Sequence, residues 1–329
     1  MKPALNGRDY TAPAWLPGGH AQTMWPLLIK GQLPRYRRER WETPDDDFID
    51  LDWIAGTPGA PCVALFHGLE GSSRSHYARR LMHAVASRGW HGVVVHFRGC
   101  SGEPNRLPRA YHSGDSPEID WVVRRLHARG FPALFLAGVS LGANAMLKWL
   151  AEQGGQASGR VNAAVAVSAP LDLAAANTAL SSGFNRVYAR HFLRTLIPSA
   201  LEKERRFPGR IDVRRAMASL TLRDFDDAVT APLHGFLGAD DYYARSSAGP
   251  LLGAVQLPTL LLHAANDPFL PRSALPPRET LPTAITLEIP AHGGHVGFVH
   301  GRPPGRIDWL PHRILAHFRA HLSDTVIVR

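Results

Sequence analysis

Residues 133–147 read A-L-F-L-A-G-V-S-L-G-A-N-A-M-L. The apolar run at 134–137 has the composition of a buried strand and stops at Gly138. Beyond Gly138-Val139-Ser140-Leu141-Gly142, the residues Met146, Leu147 and Leu150 recur at helical spacing. Strand, sharp turn and helix, with a serine at the turn, is the setting that a G-x-S-x-G nucleophile elbow requires. Glycines on both sides let the backbone take strained dihedrals and let the helix pack close to the strand. The turn pushes the hydroxyl out of the fold, beside the Leu141 N–H and the positive end of the helix.

Outward from this stretch, short continuous apolar runs at 62–66, 92–97, 161–167, 259–263 and 284–289 read as strands buried on both faces. Helical patterns at 77–88, 117–129 and 310–322 lie between or after them, the second with Asp115 or Ser116 as N-cap and Pro117 in its first turn. Residues 37–42 and 48–55 suggest a hairpin. Ile49, Leu51 and Trp53 alternate there with Asp50 and Asp52, the period of a half-buried strand. Strand and helix alternating in this way predict an α/β fold with a mostly parallel central sheet flanked by helices. In such sheets ligands bind beyond the carboxyl ends of the strands, where His67, Arg98, Ser140 and Ser168 fall. Residues 171–256 break the rhythm. They carry helical patterns at 187–196 and 213–219 and many aromatic residues, but no clear buried strand. The expected organisation is a core of residues 1–170 and 257–329, with an irregular segment at 1–34, and a helical cap insertion at 171–256.

A serine hydroxyl needs a base to take its proton, and the base needs an acid to fix its tautomer. The chain offers them in the order Ser140, Asp267, His295, each just past an expected strand. Asp172, after the preceding strand, is the rival acid. His292 is the rival base; with His295 it could be half of a metal site, but no second ligand cluster supports one, so no metal and no cofactor is expected. Cys100 lacks an elbow and is a weak rival nucleophile. An oxyanion formed at Ser140 needs two N–H donors. Leu141 is one candidate and Leu69, after His67-Gly68, the other, with His67 organising that loop by hydrogen bonding.

The chain has 329 residues, two cysteines and a net charge of +9 carried mostly by arginine. Two cysteines make no disulfide framework. The basic residues are spread out, and the tightest cluster, at 35–40, is interrupted by Glu39. No nucleic-acid-binding motif accompanies them, so no nucleic-acid partner is expected. The charge reads mainly as surface composition, with peripheral contact to anionic membrane surfaces as a secondary expectation. No apolar run is long enough to span a bilayer, and residues 1–20 show no secretory pattern, which predicts a cytoplasmic protein.

The stretches L-F-H-G-L-E-G-S-S-R-S-H-Y (65–77), H-F-R-G-C-S-G-E-P-N-R (96–106), Y-H-S-G (111–114), G-V-S-L-G-A-N (138–144), D-D-Y-Y (240–243), N-D-P-F (266–269) and H-G-G-H-V-G-F (292–298) resemble the YheT-like α/β-hydrolases. So does the opening W-L-P-G-G-H-A-Q-T (15–23). The likeness covers nearly the whole chain. It implies an α/β-hydrolase fold and a serine carboxylesterase acting on small or lipid esters, acylglycerols and phospholipids included, with the triad on Ser140, Asp267 and His295. Ala143 departs from the family, which usually has a third glycine there. Mammalian members carry an N-terminal membrane anchor that is not expected in this chain. Acyl transfer on the same triad and a non-catalytic binding protein of the same fold are the alternatives. Oligomeric state is not readable from the sequence.

Overall fold

The computed structural model describes residues 10–29 and 31–322. The first nine residues of the segment read as irregular, Lys30, and the last seven residues of the expected core lie outside it.

Eight strands form one sheet: β1 (Arg37–Glu42), β2 (Phe48–Ile54), β3 (Cys62–Phe66), β4 (His91–Val95), β5 (Leu134–Val139), β6 (Ala163–Val167), β7 (Thr259–Leu262) and β8 (Ile285–Glu288). Their spatial order is β1-β2-β4-β3-β5-β6-β7-β8. β1 and β2 pair antiparallel, as do β2 and β4, and every other pair is parallel. The helices outside the β6–β7 connection are α1 (Gly19–Met24), α2 (His76–Ala86), α3 (Ser116–His127), α4 (Leu141–Gln153) and, last in the chain, α11 (Trp309–Arg319).

Alternation along the central strands divides two cores. On one face Cys62, Ala64, Phe66, Leu134 and Leu136 meet α3 and α4 through Ile119, Val122, Met146 and Leu150. On the other Val63, Leu65, Phe135, Ala137 and Val139 meet α2 and α11 through Leu81, Met82, Ile314 and Phe318. A strand covered on both faces has no solvent side, which is why these strands read as unbroken apolar runs.

β2 is different from its reading. All seven of its residues are buried, Asp50 and Asp52 included. The cause lies on β1. Arg40 grips Asp50 through two hydrogen bonds of 2.8 Å, and Arg38 grips Asp52 at 2.8 and 2.9 Å. Ser73 Oγ donates to Asp52 as well, at 2.6 Å. The basic cluster at 35–40 is thus in good part the lid on two buried carboxylates. Bidentate guanidinium pairs keep both aspartates ionised; despite burial, which raises it, the Asp50 carboxyl is held below its usual range by Arg40.

Between β6 and β7 the chain is helical: α5 (Leu173–Leu180), α6 (Arg186–Arg206), α7 (Val213–Met217), α8 (Leu222–Phe225), a π-helical turn (Asp226–Thr230), α9 (Ala231–His234) and α10 (Ala239–Ser246). Ala176, Leu180, Leu193, Ala200, Leu222 and Phe225 form a core of their own against Phe269 and Leu270. Leu252, Val255 and Leu257 instead join the sheet's core. α6 runs well past the expected 187–196, straight through the exposed Pro198.

Phe318 is fully buried and stacks on Phe135, ring centroids 4.8 Å apart. Phe318→Ala should cost about 3–5 kcal/mol of unfolding free energy in urea titration, and a loss under 1 kcal/mol would mean that α11 does not close this core.

Candidate active site

Ser140 stands between β5 and α4 with φ 51° and ψ −121°, a left-handed conformation that a side chain rarely takes. Its N–H donates to the Val167 carbonyl at 2.8 Å. The flanking glycines are there for space. A Cβ at Gly142 would lie 2.4 Å from the His67 carbonyl oxygen, and one at Gly138 2.5 Å from Ala143 Cα. Ala143 points its own methyl into the buried core and leaves the elbow intact.

The structure brings Ser140, His295 and Asp267 together. His295 Nε2 lies 3.0 Å from Ser140 Oγ, and His295 Nδ1 lies 2.9 Å from Asp267 Oδ2. A carboxylate only accepts, so Nδ1 carries the proton and Nε2 is left to accept from the serine. Burial works to raise the Asp267 carboxyl, but the His295 charge and hydrogen bond, with His263 behind, bring it below the usual range. The Phe269 N–H donates to its second oxygen at 2.9 Å. Phe269 also stacks on the His295 ring, centroids 4.2 Å apart.

The rivals stand elsewhere. Asp172 is exposed and caps α5, accepting from the Ala175 N–H at 3.0 Å. His292 is exposed, with Nδ1 3.3 Å from Asn266 Nδ2. Burial pushes the Cys100 thiol up, away from the reactive thiolate. Among the described residues no group of three or more His, Cys, Asp or Glu is placed to hold a metal ion.

The loop after β3 is fixed from within. His67 is buried; Phe97 N–H donates to its Nε2 at 3.1 Å, so Nδ1 donates to the Gly68 carbonyl at 2.8 Å. Burial holds this ring neutral, its pKa down to about 3. Two tyrosines that the sequence reading passed over complete the arrangement. Tyr77 Oη accepts from the Gly68 N–H and Tyr111 Oη from the Glu70 N–H, each at 2.9 Å. The amide between them, Leu69, has no acceptor among the described residues, and neither has Leu141.

The opening segment does more than wrap the domain. His295 N–H donates to Thr23 Oγ1 at 2.8 Å, and Thr23 donates to the Gly19 carbonyl at 2.7 Å. Buried Gln22 accepts from the Val299 N–H at 2.9 Å. A Cβ at Gly297 would lie 1.9 Å from the Gln22 carbonyl oxygen, and one at Gly19 1.9 Å from that of Asn266. α1 is thereby keyed into the loops that carry both His295 and Asp267.

A cavity of about 170 Å³ opens over Ser140 and His295. Leu69, Leu141, Leu180, Phe192, Phe225 and Leu270 give it apolar walls. Polar groups, among them Glu70, Arg98, Lys203 and Asp226, also reach it. Asp226 is drawn out of water by its surroundings, which raises its carboxyl to about 6, and it accepts from Thr230 and Tyr243 at 2.6 and 2.8 Å.

A parallel sheet with a serine elbow, a histidine and an aspartate meeting at its carboxyl end defines the α/β-hydrolase class. The family described as alpha/beta hydrolase fold matches residues 61–301. A solved Pyrococcus furiosus esterase shares the fold at a TM-score of 0.57 and 14% identity, covering 88% of this chain and 92% of that one. Escherichia coli "Putative esterase YheT" is 42% identical over 304 residues, 90% of this chain and 88% of that protein. Mouse phospholipase ABHD3 is 30% identical over 313 residues, 92% of this chain and 76% of that protein. The chain belongs to the α/β-hydrolases, in the YheT-like family.

If Thr23 anchors the His295 loop, Thr23→Val slows labelling of Ser140 by a fluorophosphonate roughly tenfold with little change in Tm, and Thr23→Ser restores it. Equal labelling rates in all three proteins would remove Thr23 from the site.

Proposed function

We propose that this protein is a serine hydrolase that cleaves carboxylic esters through an acyl-enzyme on Ser140. The observation that carries this reading is the unbroken hydrogen-bond chain Asp267–His295–Ser140, whose His295 and Ser140 open into a largely apolar cavity. Ser140 Oγ attacks the acyl carbon while His295 Nε2 takes its proton. Asp267 holds the ring and stabilises its positive charge. The oxyanion receives the free N–H groups of Leu69 and Leu141. As the tetrahedral intermediate collapses, His295 gives the proton to the leaving alkoxide. Water, deprotonated by the same nitrogen, then releases the acid and regenerates Ser140.

The apolar walls suit an acyl chain, and the phospholipase among the relatives supports lipid esters as the substrate class. The helices between β6 and β7 act as the cap that shapes the acyl pocket. The reading places the enzyme in the cytoplasm, where its two free thiols stay reduced. It also places it at anionic membrane surfaces. Among the described residues no helix is long and apolar enough to cross a membrane. Leu27 (69% exposed), Leu28 (68%) and Phe184 (50%) nonetheless face solvent. The α1 side chain of His20 touches the Phe184 ring, centroids 4.7 Å apart, which sets Phe184 against the helix that Leu27 and Leu28 follow. Residues 10–38 and 173–201 contain no Asp or Glu, and Arg186, Arg190 and Arg194 form an exposed stripe along α6. Exposed apolar groups ringed by arginine match an anionic interface.

Intact mass after fluorophosphonate treatment tests the chemistry. A single adduct is expected on the wild type and none on Ser140→Ala; a folded wild type that takes no adduct would leave a binding protein as the better reading. Vesicle sedimentation tests the surface. Binding is expected to vesicles containing phosphatidylglycerol and not to pure phosphatidylcholine, and should weaken about tenfold in Leu27→Ser/Leu28→Ser. Indifference to lipid charge would dispose of the anionic interface.

A further inference from the structure

α6 crosses the cavity from one end to the other. Near its start Tyr188 and Phe192 pack on Phe269, the ring that stacks on His295. Lys203 lies 11 residues after Phe192, so about 16 Å further along the helix axis at 1.5 Å per residue. There its side chain lines the same cavity as Ser140 and His295.

Its surroundings are unusual for a lysine. Its Nζ makes one hydrogen bond, a long one of 3.3 Å to the Arg109 carbonyl. An ammonium has three donors, so the others have no protein acceptor among the described residues. Among the described residues it makes no ion pair with a carboxylate, because those nearby are turned to other partners. Asp45, Asp47 and Glu118 all bind Arg98, at 2.9, 3.2 and 2.5 Å. Asp115 binds Arg109 at 2.6 Å. Asp47 is filled further by Asn105 and by the Arg106 N–H. Of the two carboxyl groups that reach the cavity, Glu70 accepts from the Tyr111 hydroxyl at 2.9 Å and Asp226 from Thr230 and Tyr243. Burial and the neighbouring Arg206 and Arg98 charges hold the amine below its usual pKa, with Asp47 opposing only in part. Lys203 is half-buried, and a cation drawn that far out of water is ordinarily paired. This one is left open toward the space where a substrate must lie.

We propose that Lys203 is an anion-binding subsite, which receives a negatively charged oxygen group of the substrate, phosphate or carboxylate, while the ester carbonyl sits at Ser140. The proposal rests on the serine-hydrolase reading and narrows its substrate class to esters that carry an anion at a distance from the scissile bond. Lys203 acts in recognition and takes no part in bond breaking.

Two ester pairs distinguish the two sources of charge. p-Nitrophenyl hexanoate against the mono-p-nitrophenyl ester of adipic acid varies a carboxylate at the chain end. Tributyrin against dibutyryl glycerophosphate varies a phosphate in the headgroup. The wild type should favour the anionic member of at least one pair by about tenfold or more in kcat/KM, mostly through KM. Lys203→Met should erase that preference and leave the neutral esters within twofold; Lys203→Arg should keep most of it. The Met variant should melt no lower than the wild type, since it removes a half-buried charge that has no ion-pair partner among the described residues. The same pairs titrated calorimetrically into Ser140→Ala, with and without Lys203→Met, report the subsite without turnover. The anionic ester should bind about tenfold more weakly once Lys203 is gone. Absence of any preference in the wild type, or an equal loss on neutral and anionic esters in Lys203→Met, overturns the subsite. Wild-type turnover by Ser140→Ala would instead overturn the serine mechanism, with the calorimetric comparison still deciding Lys203.

Discussion

The site depends on one close approach of main chains. Gly142, at the head of α4, rests against the Phe66 and His67 carbonyls, so closely that a single added carbon would lie 2.5 and 2.4 Å from them. That contact sets the distance between two strand ends, β5 and β3. It leaves Ser140 at φ 51°, with Leu69 and Leu141, whose amides are free, lining the same cavity as its hydroxyl. Backbone strain of this kind costs on the order of 1–3 kcal/mol and persists where the surroundings over-determine it. Here they do. Ser140 N–H is tied to β6, Gly68 N–H to Tyr77, Glu70 N–H to Tyr111, and the His67 ring bridges Gly68 and Phe97.

What the sequence makes legible follows from range. The central strands read correctly to within two residues, because burial on both faces writes itself as consecutive apolar side chains. Strand ends are blurred where side chains stay buried after pairing stops: Phe97 is buried but lies beyond β4. The elbow is legible because its glycines and serine are contiguous, and Asp267 and His295 because each follows a strand. Tyr77, Tyr111 and Thr23 are not, since each acts through one hydroxyl on a backbone N–H outside its own element, at separations of 9, 41 and 272 residues. β2 misled because its alternation is real but its partner is not visible in it; Asp50 and Asp52 face arginines of β1 instead of water. α5 was missed for a different reason: L-A-A-A-N-T-A-L has helix propensity without a helical apolar stripe.

The loop that carries His295 shows how a remote segment can belong to a site. After β8 the chain takes positive φ at Gly293, Gly294, Val296 and Phe298. For the β-branched Val296 this is a costly conformation. The loop gains its fixity from α1, more than 270 residues earlier in the chain, through the Thr23 and Gln22 hydrogen bonds of |i−j| 272 and 277. The exposed Leu27 and Leu28 follow α1, and Phe184, before α6, touches it through His20, so these apolar groups adjoin an element that holds His295. A surface that settles these elements on lipid would sit beside the machinery without forming part of it.

The charges beneath the cavity show where polarity is structural and where it is not. Arg98 is nearly inaccessible, and three carboxylates surround it. So matched a group holds the β4 end, the 43–47 turn and α3 together, and has little attraction left for a ligand. Burial and the Asp115 charge raise the Glu118 carboxyl against the opposing arginines. Lys203 lies beside it with no carboxylate of its own. What this end of the cavity leaves open is direct pairing at Lys203, because the neighbouring carboxylates are turned toward Arg98 and Arg109. An oxygen anion entering there would supply the close partner that the protein's own side chains do not give its ammonium.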